Sequence, residues 1–325
     1  MIRTPICDLL GIRHPVVLGG MAGHTSVPLV AAVSEAGGLG TLGIARTPAA
    51  QIPRDIDAIR RATTQPFGVN FLLFVANDAA IDAALAAKPP VFCAAWARSD
   101  QPLEPIFEKA HRAGSIAMYM APTVPEAVRA RRAGADVIVA QGTEGGGHVG
   151  WMATTTLLPM VVDAVGGTPV IAAGGIADGR GLAAALALGA QGALLGTRFL
   201  ATEESPLHAN FKRAVVESDG HDTVLTDIPD VARGAAWPGA MSRAKRNAFV
   251  ARWAGREWEL RAEQPAVAAE LQRATTAGDA DNAVLFYGQD AGLIRDVPRA
   301  GALVERIVTE AEMLLRERLP KLVVR

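Results

Sequence analysis

The segment Gln141-Gly142-Thr143-Glu144-Gly145-Gly146-Gly147-His148-Val149-Gly150 sets a histidine behind three consecutive glycines. A glycine run is costly in chain entropy, so some conformation must require it. Backbone free of side chains can lie flat against a planar ligand and bring His148 over it. An imidazole with an ordinary pKa of about 6.5 suits a general base at neutral pH. A solvent-exposed loop histidine is the plainer alternative. The other histidines, His14, His24, His111, His208 and His221, show no HxxxH or HxxE spacing. Cys7 and Cys93 belong to no CxxC or Cys/His cluster, so neither a metal site nor a disulfide framework is expected. Glu144 and Asp136 read as helix-cap or loop partners rather than catalytic carboxylates.

Two further segments have the chemistry of an anion site. Ala172-Ala173-Gly174-Gly175-Ile176-Ala177-Asp178-Gly179-Arg180 follows an apolar run and opens a helical stretch. Leu194-Leu195-Gly196-Thr197-Arg198 does the same about twenty residues on. Glycine lets a backbone N–H approach phosphate unhindered, a helix N-terminus adds positive potential, and Thr197 offers a hydroxyl. Ordinary strand-to-helix punctuation is the alternative for either segment alone. Asn70, in Gly68-Val69-Asn70-Phe71, reads either as a turn residue or as a polar group at a cavity mouth. Gly38-Leu39-Gly40-Thr41-Leu42-Gly43 spells the dinucleotide GxGxxG but has its helix before it and a strand through it. A helix cap and tight strand entry explain it better.

The elements that must position these residues repeat. Ala36 to Gly43, Ala133 to Gly142 and Leu188 to Thr197 each follow an Ala-rich helical stretch: Val27 to Glu35, Pro125 to Arg132 and Gly181 to Leu188. Each reads as helix, glycine cap, short buried strand and glycine-rich strand end. Continuous apolar runs at Pro15 to Leu18, Phe67 to Asn70, Val91 to Trp96, Ser115 to Met120 and Pro169 to Ala173 supply five more strands, buried on both faces. Eight strands with room for one crossover helix each predict an α/β fold, a (β/α)8 TIM barrel. An open doubly wound sheet is the runner-up. The rhythm changes after Phe199, and residues 201–285 are expected to form a mainly helical insertion after strand eight, a lid. Helical spacing is read there over Ser242 to Leu260 and Pro265 to Thr275. Residues 1–200 and 286–325 would make the barrel, with Val297 to Leu319 as a helix packing back on it.

Composition excludes several classes. Lys+Arg 32 against Asp+Glu 33 supplies no polycationic field for nucleic acid. Half the residues are hydrophobic, which excludes a disordered chain. The longest apolar stretch, Gly181 to Gly196, is interrupted by Gly189, Gln191 and Gly192, so no membrane span is expected. The start, Met1 to Asp8, has no signal-peptide apolar region. A cytoplasmic protein, monomer or homodimer, acting on a small molecule is the expectation.

Taken together, Gly20-Met21-Ala22-Gly23, Gly68 to Phe71, Gln141 to His148, Ala172 to Arg180, Leu195 to Phe199 and Gly288-Gln289-Asp290-Ala291-Gly292-Leu293 resemble the nitronate monooxygenase family, FMN-dependent barrel flavoproteins. The resemblance runs from about Pro15 to the C-terminal helix. It implies FMN as cofactor, contacted by Gly20, Met21, Ala22, Asn70, Gln141, Gly146, Gly147, Gly174, Gly175, Leu194, Leu195, Gly196 and Thr197. It implies His148 as the catalytic base, and oxidation of a nitroalkane or nitronate by O2 to a carbonyl compound and nitrite. Two positions depart from the family's pattern. Gly145 stands where alanine is usual, and Leu194 where glutamine is frequent, leaving only a backbone contact there. The same architecture serves NAD(P)H-dependent FMN reductases of enoyl thioesters or quinones, the alternative activity. A flavin sensor or storage protein is the non-enzymatic alternative, but storage needs no base over the ring.

Overall fold

The structure is a computed structural model that describes residues 2–323. Met1, Val324 and Arg325, at the ends of the expected barrel segments, lie outside the described residues. In chain order the strands are β1 (Val16–Leu18), β2 (Gly40–Gly43), β3 (Phe67–Leu72), β4 (Val91–Ala95), β5 (Ile116–Ala121), β6 (Val137–Gln141), β7 (Gly147–Val149), β8 (Val170–Ala173), β9 (Gly192–Leu195), β10 (Thr223–Thr226) and β11 (Met241–Lys245). Eight of them form one sheet in the order β1-β9-β8-β6-β5-β4-β3-β2, with every pairing parallel. A parallel bridge between Val17 and Leu39 joins β1 back to the β2 edge. That bridge closes a TIM barrel and removes the open doubly wound sheet.

The repeated helix–glycine–strand unit has one backbone cause. Gly37, Gly134 and Gly189 have φ of +88°, +98° and +96°, the left-handed region where a side chain is strained. Each ends a helix and turns the chain into a buried strand. Alternation along the strands then sorts residues to two layers. Val91, Cys93, Val137, Val139, Ile171 and Ala173 fill the barrel interior. Phe92, Ala94, Ile138, Ala140, Val170 and Ala172 face the surrounding helices. A short N-terminal helix, Pro5–Leu10, seals the barrel bottom with Ile6, Cys7, Leu10 and Ile12.

The C-terminal helix, Ala300–Met313, packs back on the barrel through Leu303, Val304, Ile307, Val308 and Ala311. It touches the helices Val27–Glu35 and Gly179–Ala187 and so fills the last gap in the outer ring. The approach is close: a Cβ on Gly179 would lie 2.4 Å from the Ala311 amide nitrogen.

Residues 201–285 differ from the helical reading at one place. Ser242 to Leu260 is not continuous helix. It begins in strand β11 and goes on as the short helices Ala248–Trp253 and Glu257–Ala262. Tertiary pairing overrode the local spacing, because β11 lies antiparallel between β10 and β7. Pro265 to Thr275 does fall in a helix, Gln264–Ala277. Behind the small sheet, Ile228, Phe249, Val250, Trp253, Leu260 and Leu271 form a separate apolar cluster.

Ser34 ties the first crossover helix to the sheet: its hydroxyl donates to Pro66 O at 2.8 Å and accepts from Gly40 N at 3.1 Å. Removing it orphans a buried amide. Ser34→Ala is expected to lower unfolding free energy by about 1–3 kcal/mol, read as a reduced urea midpoint at unchanged slope.

Candidate active site

The carboxyl ends of the barrel strands open into a cavity of about 460 Å3. Gly20, Met21, Ala22, Asn70, Gln141, Gly146, Gly147, His148, Gly174, Gly175, Leu194, Gly196 and Thr197 all line it. Leu195 does not. Strand alternation turns Leu194 inward and sends the Leu195 side chain out to the helix layer, where it is 1% exposed. Its carbonyl accepts from Gly19 N at 2.9 Å, which fixes the start of the Gly20–Ala22 loop. Asn70 braces the same loop by donating Nδ2–H to Gly20 O at 3.0 Å. Met118 and Met120 line the cavity wall as well. Cys93 sits among them, its thiol pushed up to about 12 by burial.

His148 is not on a free loop. It lies in β7, paired with Ser242 of β11. Strand pairing is open to this segment because Gly146 lets the backbone pass Tyr287, where a Cβ would lie 2.5 Å from the Tyr287 Cα. Gln289 N donates to Glu144 O at 2.9 Å and Arg243 Nε to Thr143 O at 2.9 Å, holding the strand from both sides. Tyr287 is itself anchored by donating to Asp222 at 2.7 Å, and Lys245 Nζ reaches the same carboxylate at 2.9 Å. Burial works against the Asp222 charge. Hydrogen bonds from Ser218, Tyr287 and Lys245 outweigh it and hold the carboxyl below its ordinary range.

The His148 side chain is 9% exposed. Its Nε2 lies 2.9 and 3.0 Å from the two Asp230 carboxylate oxygens. The imidazole stacks on Trp237, with centroids 3.3 Å apart and planes 9° apart. Asp230 belongs to the helix Ile228–Arg233. Sequence reading missed both partners, since each lies more than eighty residues away with no motif around it. Glu144 is the helix-end partner it was read as. Its carboxylate accepts from Thr154 N at 2.9 Å and Thr154 Oγ1 at 2.9 Å, at the start of the helix Thr154–Val165. Asp136 is likewise structural, accepting from Ala117 N at 2.7 Å and meeting His111 Nε2 at 2.9 Å.

The two glycine turns lie side by side, because β8 and β9 pair with Ala173 beside Leu194. Gly174 and Gly175 have φ of +94° and +74°. The amides of Gly174, Gly175, Gly196 and Thr197 donate to no protein acceptor among the described residues. Two expected donors are spent elsewhere. The helix Gly179–Ala187 has its first amides taken by Glu310, at 2.8 Å from Gly179 N, and by Asp178, which accepts from Arg180 N and Gly181 N. Its N-terminus is therefore not free for a ligand. The Thr197 hydroxyl accepts from Gly288 N at 2.9 Å. Arg198 beside it is 2% exposed, lowered to about 10 by burial, and bound to Asp296 at 2.7 Å.

A buried histidine–carboxylate pair and four backbone amides without protein acceptors belong to one cavity at the carboxyl ends of the strands, the end at which barrel enzymes carry their active sites. Comparison with known proteins makes the class specific. The sequence profile of the nitronate monooxygenase family, described as "Nitronate monooxygenase", matches residues 3–97 and 77–310. A (3aS,4S,5R,7aS)-5-hydroxy-7a-methyl-1-oxo-octahydro-1H-indene-4-carboxyl-CoA dehydrogenase of Mycobacterium tuberculosis is 36% identical, over 95% of this chain and 96% of the relative. Among solved structures, FabK from Thermotoga maritima superposes with a TM-score of 0.89 at 35% identity, covering 99% of this chain and 100% of that one. A nitroalkane oxidase from Streptomyces ansochromogenes gives 0.80 at 30% identity, covering 94% and 97%. The chain belongs to the nitronate monooxygenase family, and it is an oxidoreductase with a flavin cofactor and a small-molecule substrate.

The residues present fit a flavin. Four unpaired backbone amides converge on one wall. Three buried side-chain atoms of cavity residues, Thr41 Oγ1, Gln141 Oε1 and Asp290 Oδ1, have no hydrogen-bond partner among the described residues. No cluster of three or more metal-ligating side chains occurs among the described residues, and no described helix is long and apolar enough to cross a membrane.

The tight passage at Gly146 gives a test of the scaffold. Gly146→Ala is expected to push β7 off Tyr287. Thermal unfolding should show a lower midpoint, and near-UV circular dichroism should show loss of the Trp237 stacking signal.

Proposed function

We propose that this protein oxidises alkyl nitronates and nitroalkanes with O2 to a carbonyl compound and nitrite, using FMN and His148 as general base. The observation that carries the reading is the His148–Asp230 pair on the cavity wall. A carboxylate only accepts, so the hydrogen between them resides on Nε2. That leaves the Nδ1 lone pair, which has no protein partner among the described residues, free to take a proton from carbon. The stacked Trp237 fixes the ring plane and shields one face from water. Asp230 holds the tautomer and stabilises the imidazolium once the proton has moved.

A bound flavin supplies electron acceptance and the reaction with oxygen. The chain's own work is to hold it and aim the substrate. Gly20, Met21, Ala22, Asn70, Gln141, Gly146 and Gly147 would contact the flavin and its chain. The backbone at Gly174–Gly175 and Gly196–Thr197 would take its phosphate, and Leu194 and Leu195 would contribute main chain only. In this reading residues 1–200 and 286–325 form the flavin barrel. Residues 201–285 close over it and deliver Asp230 and Trp237.

A second reading, NAD(P)H-dependent reduction of an enoyl thioester or quinone, is favoured by two arginines. Arg46 and Arg233 line the same cavity, and neither forms an ion pair among the described residues. Arg233 lies over the Phe286 ring at 5.3 Å. Burial, and then Arg233, hold His24 below its ordinary value. Such cations suit the phosphates of a coenzyme thioester.

Anaerobic mixing separates the readings. Bleaching of the flavin absorbance by propyl nitronate, with NADH and NADPH inert, is expected; rapid bleaching by a nicotinamide instead would overturn the first reading. His148→Ala should keep the flavin and lose about 10²–10⁴-fold in turnover of a neutral nitroalkane, with a smaller loss on preformed nitronate. Asp230→Asn should lower nitroalkane turnover by about tenfold or more, because the ring loses its fixed tautomer.

A further inference from the structure

Asp290 has no role in the reading above, yet it is the most unusual ionisable group on the cavity. It lies in the short helix Gln289–Leu293, within the Gly288–Leu293 segment that follows the Gly146 clamp. Its residue is 6% exposed, it lines the cavity, and its Oδ1 has no hydrogen-bond partner. Its segment is tied to the Gly196–Thr197 turn, since Gly288 N, two residues before it, donates to the Thr197 hydroxyl at 2.9 Å, and Thr197 and Asp290 both line the cavity. An ionised carboxylate there would stand beside a phosphate dianion with nothing to neutralise it. Arg198 is the nearest cation, but its guanidinium is bound to Asp296. Glu144, the other charged group that reaches Asp290, has the same sign. A neutral carboxylic acid reverses the problem, because its O–H needs an acceptor and phosphate oxygens are strong ones.

We propose that Asp290 is a neutral acid that donates its hydrogen to a phosphate oxygen of bound FMN, so that flavin binding takes up a proton. The inference rests on the FMN reading and on the Gly174–Gly175 and Gly196–Thr197 cradle. Its electrostatics agree. Burial pushes the Asp290 carboxyl up to about 7, against the lowering pull of its own amide, Thr197 and Arg198. The free protein therefore holds this proton below about pH 7 and releases it above. The complex keeps it to higher pH, because ionisation would set two anions in contact.

Linkage fixes the sign. Where the complex holds one more proton than the free protein, affinity falls about tenfold per pH unit as pH rises. The phosphate's own second ionisation, near pH 6, is nearly complete in free FMN in that range, so the slope reports a proton taken up on binding, and Asp290→Asn identifies its carrier.

The experiment is a fluorescence titration of apoprotein with FMN and, separately, riboflavin from pH 6 to 9. Wild-type affinity for FMN should fall about tenfold per unit above pH 7, while riboflavin affinity stays level. Asp290→Asn, a neutral donor of the same shape, should bind FMN with a level profile. Calorimetry of the wild type in two buffers of different ionisation enthalpy, at pH 8, should show close to one proton taken up per FMN. This measurement decides the matter even if the variant does not fold. No proton uptake, or the same slope for riboflavin or for Asp290→Asn, overturns the proposal while leaving the FMN reading intact. Failure of the wild type to bind FMN at any pH overturns both.

Discussion

The backbone contact between Gly146 and Tyr287 is the constraint on which the site depends. Tyr287 is fixed from behind by Asp222 and Lys245, and Gly288 is tied to the Gly196–Thr197 turn through the Thr197 hydroxyl. The strand carrying His148 can approach only because position 146 has no side chain. Once there, it pairs with β11, and β11 joins the barrel to the segment that supplies Asp230 and Trp237. A single close passage thus sets His148, Asp230 and Trp237 against one another on the cavity wall.

Much of the barrel was legible because its signals are local. A glycine in left-handed conformation must follow each Ala-rich helix, and a strand buried on both faces must read as a continuous apolar run. Those two facts locate the strands and place the glycine turns at their carboxyl ends. The cavity-lining glycines follow directly, since sites on this fold lie at that end. Leu195 shows where such reading stops. The motif contains it, but strand parity sends its side chain to the helices and leaves only a carbonyl near the site.

What the sequence hid was long-range. Ser242 has helical spacing and lies in a strand because β7 and β10 flank it, and no window of local residues contains that information. Asp230 and Trp237 are ordinary residues until folding sets them against His148. The helix after Gly175 looked like a free anion site, yet Glu310, from the far end of the chain, occupies its first amide. Sequence pattern therefore locates the cradle but not which of its donors are already used.

The helix Pro5–Leu10 has a kinetic meaning beyond its packing. By filling the lower barrel with Ile6, Cys7 and Leu10, it closes the amino-terminal end and leaves the described cavity open at the carboxyl ends of the strands. Whatever reacts there must enter and leave through the same opening, past the arginines and Trp237. Traffic through a single door is sequential, so a spent product delays the next arrival.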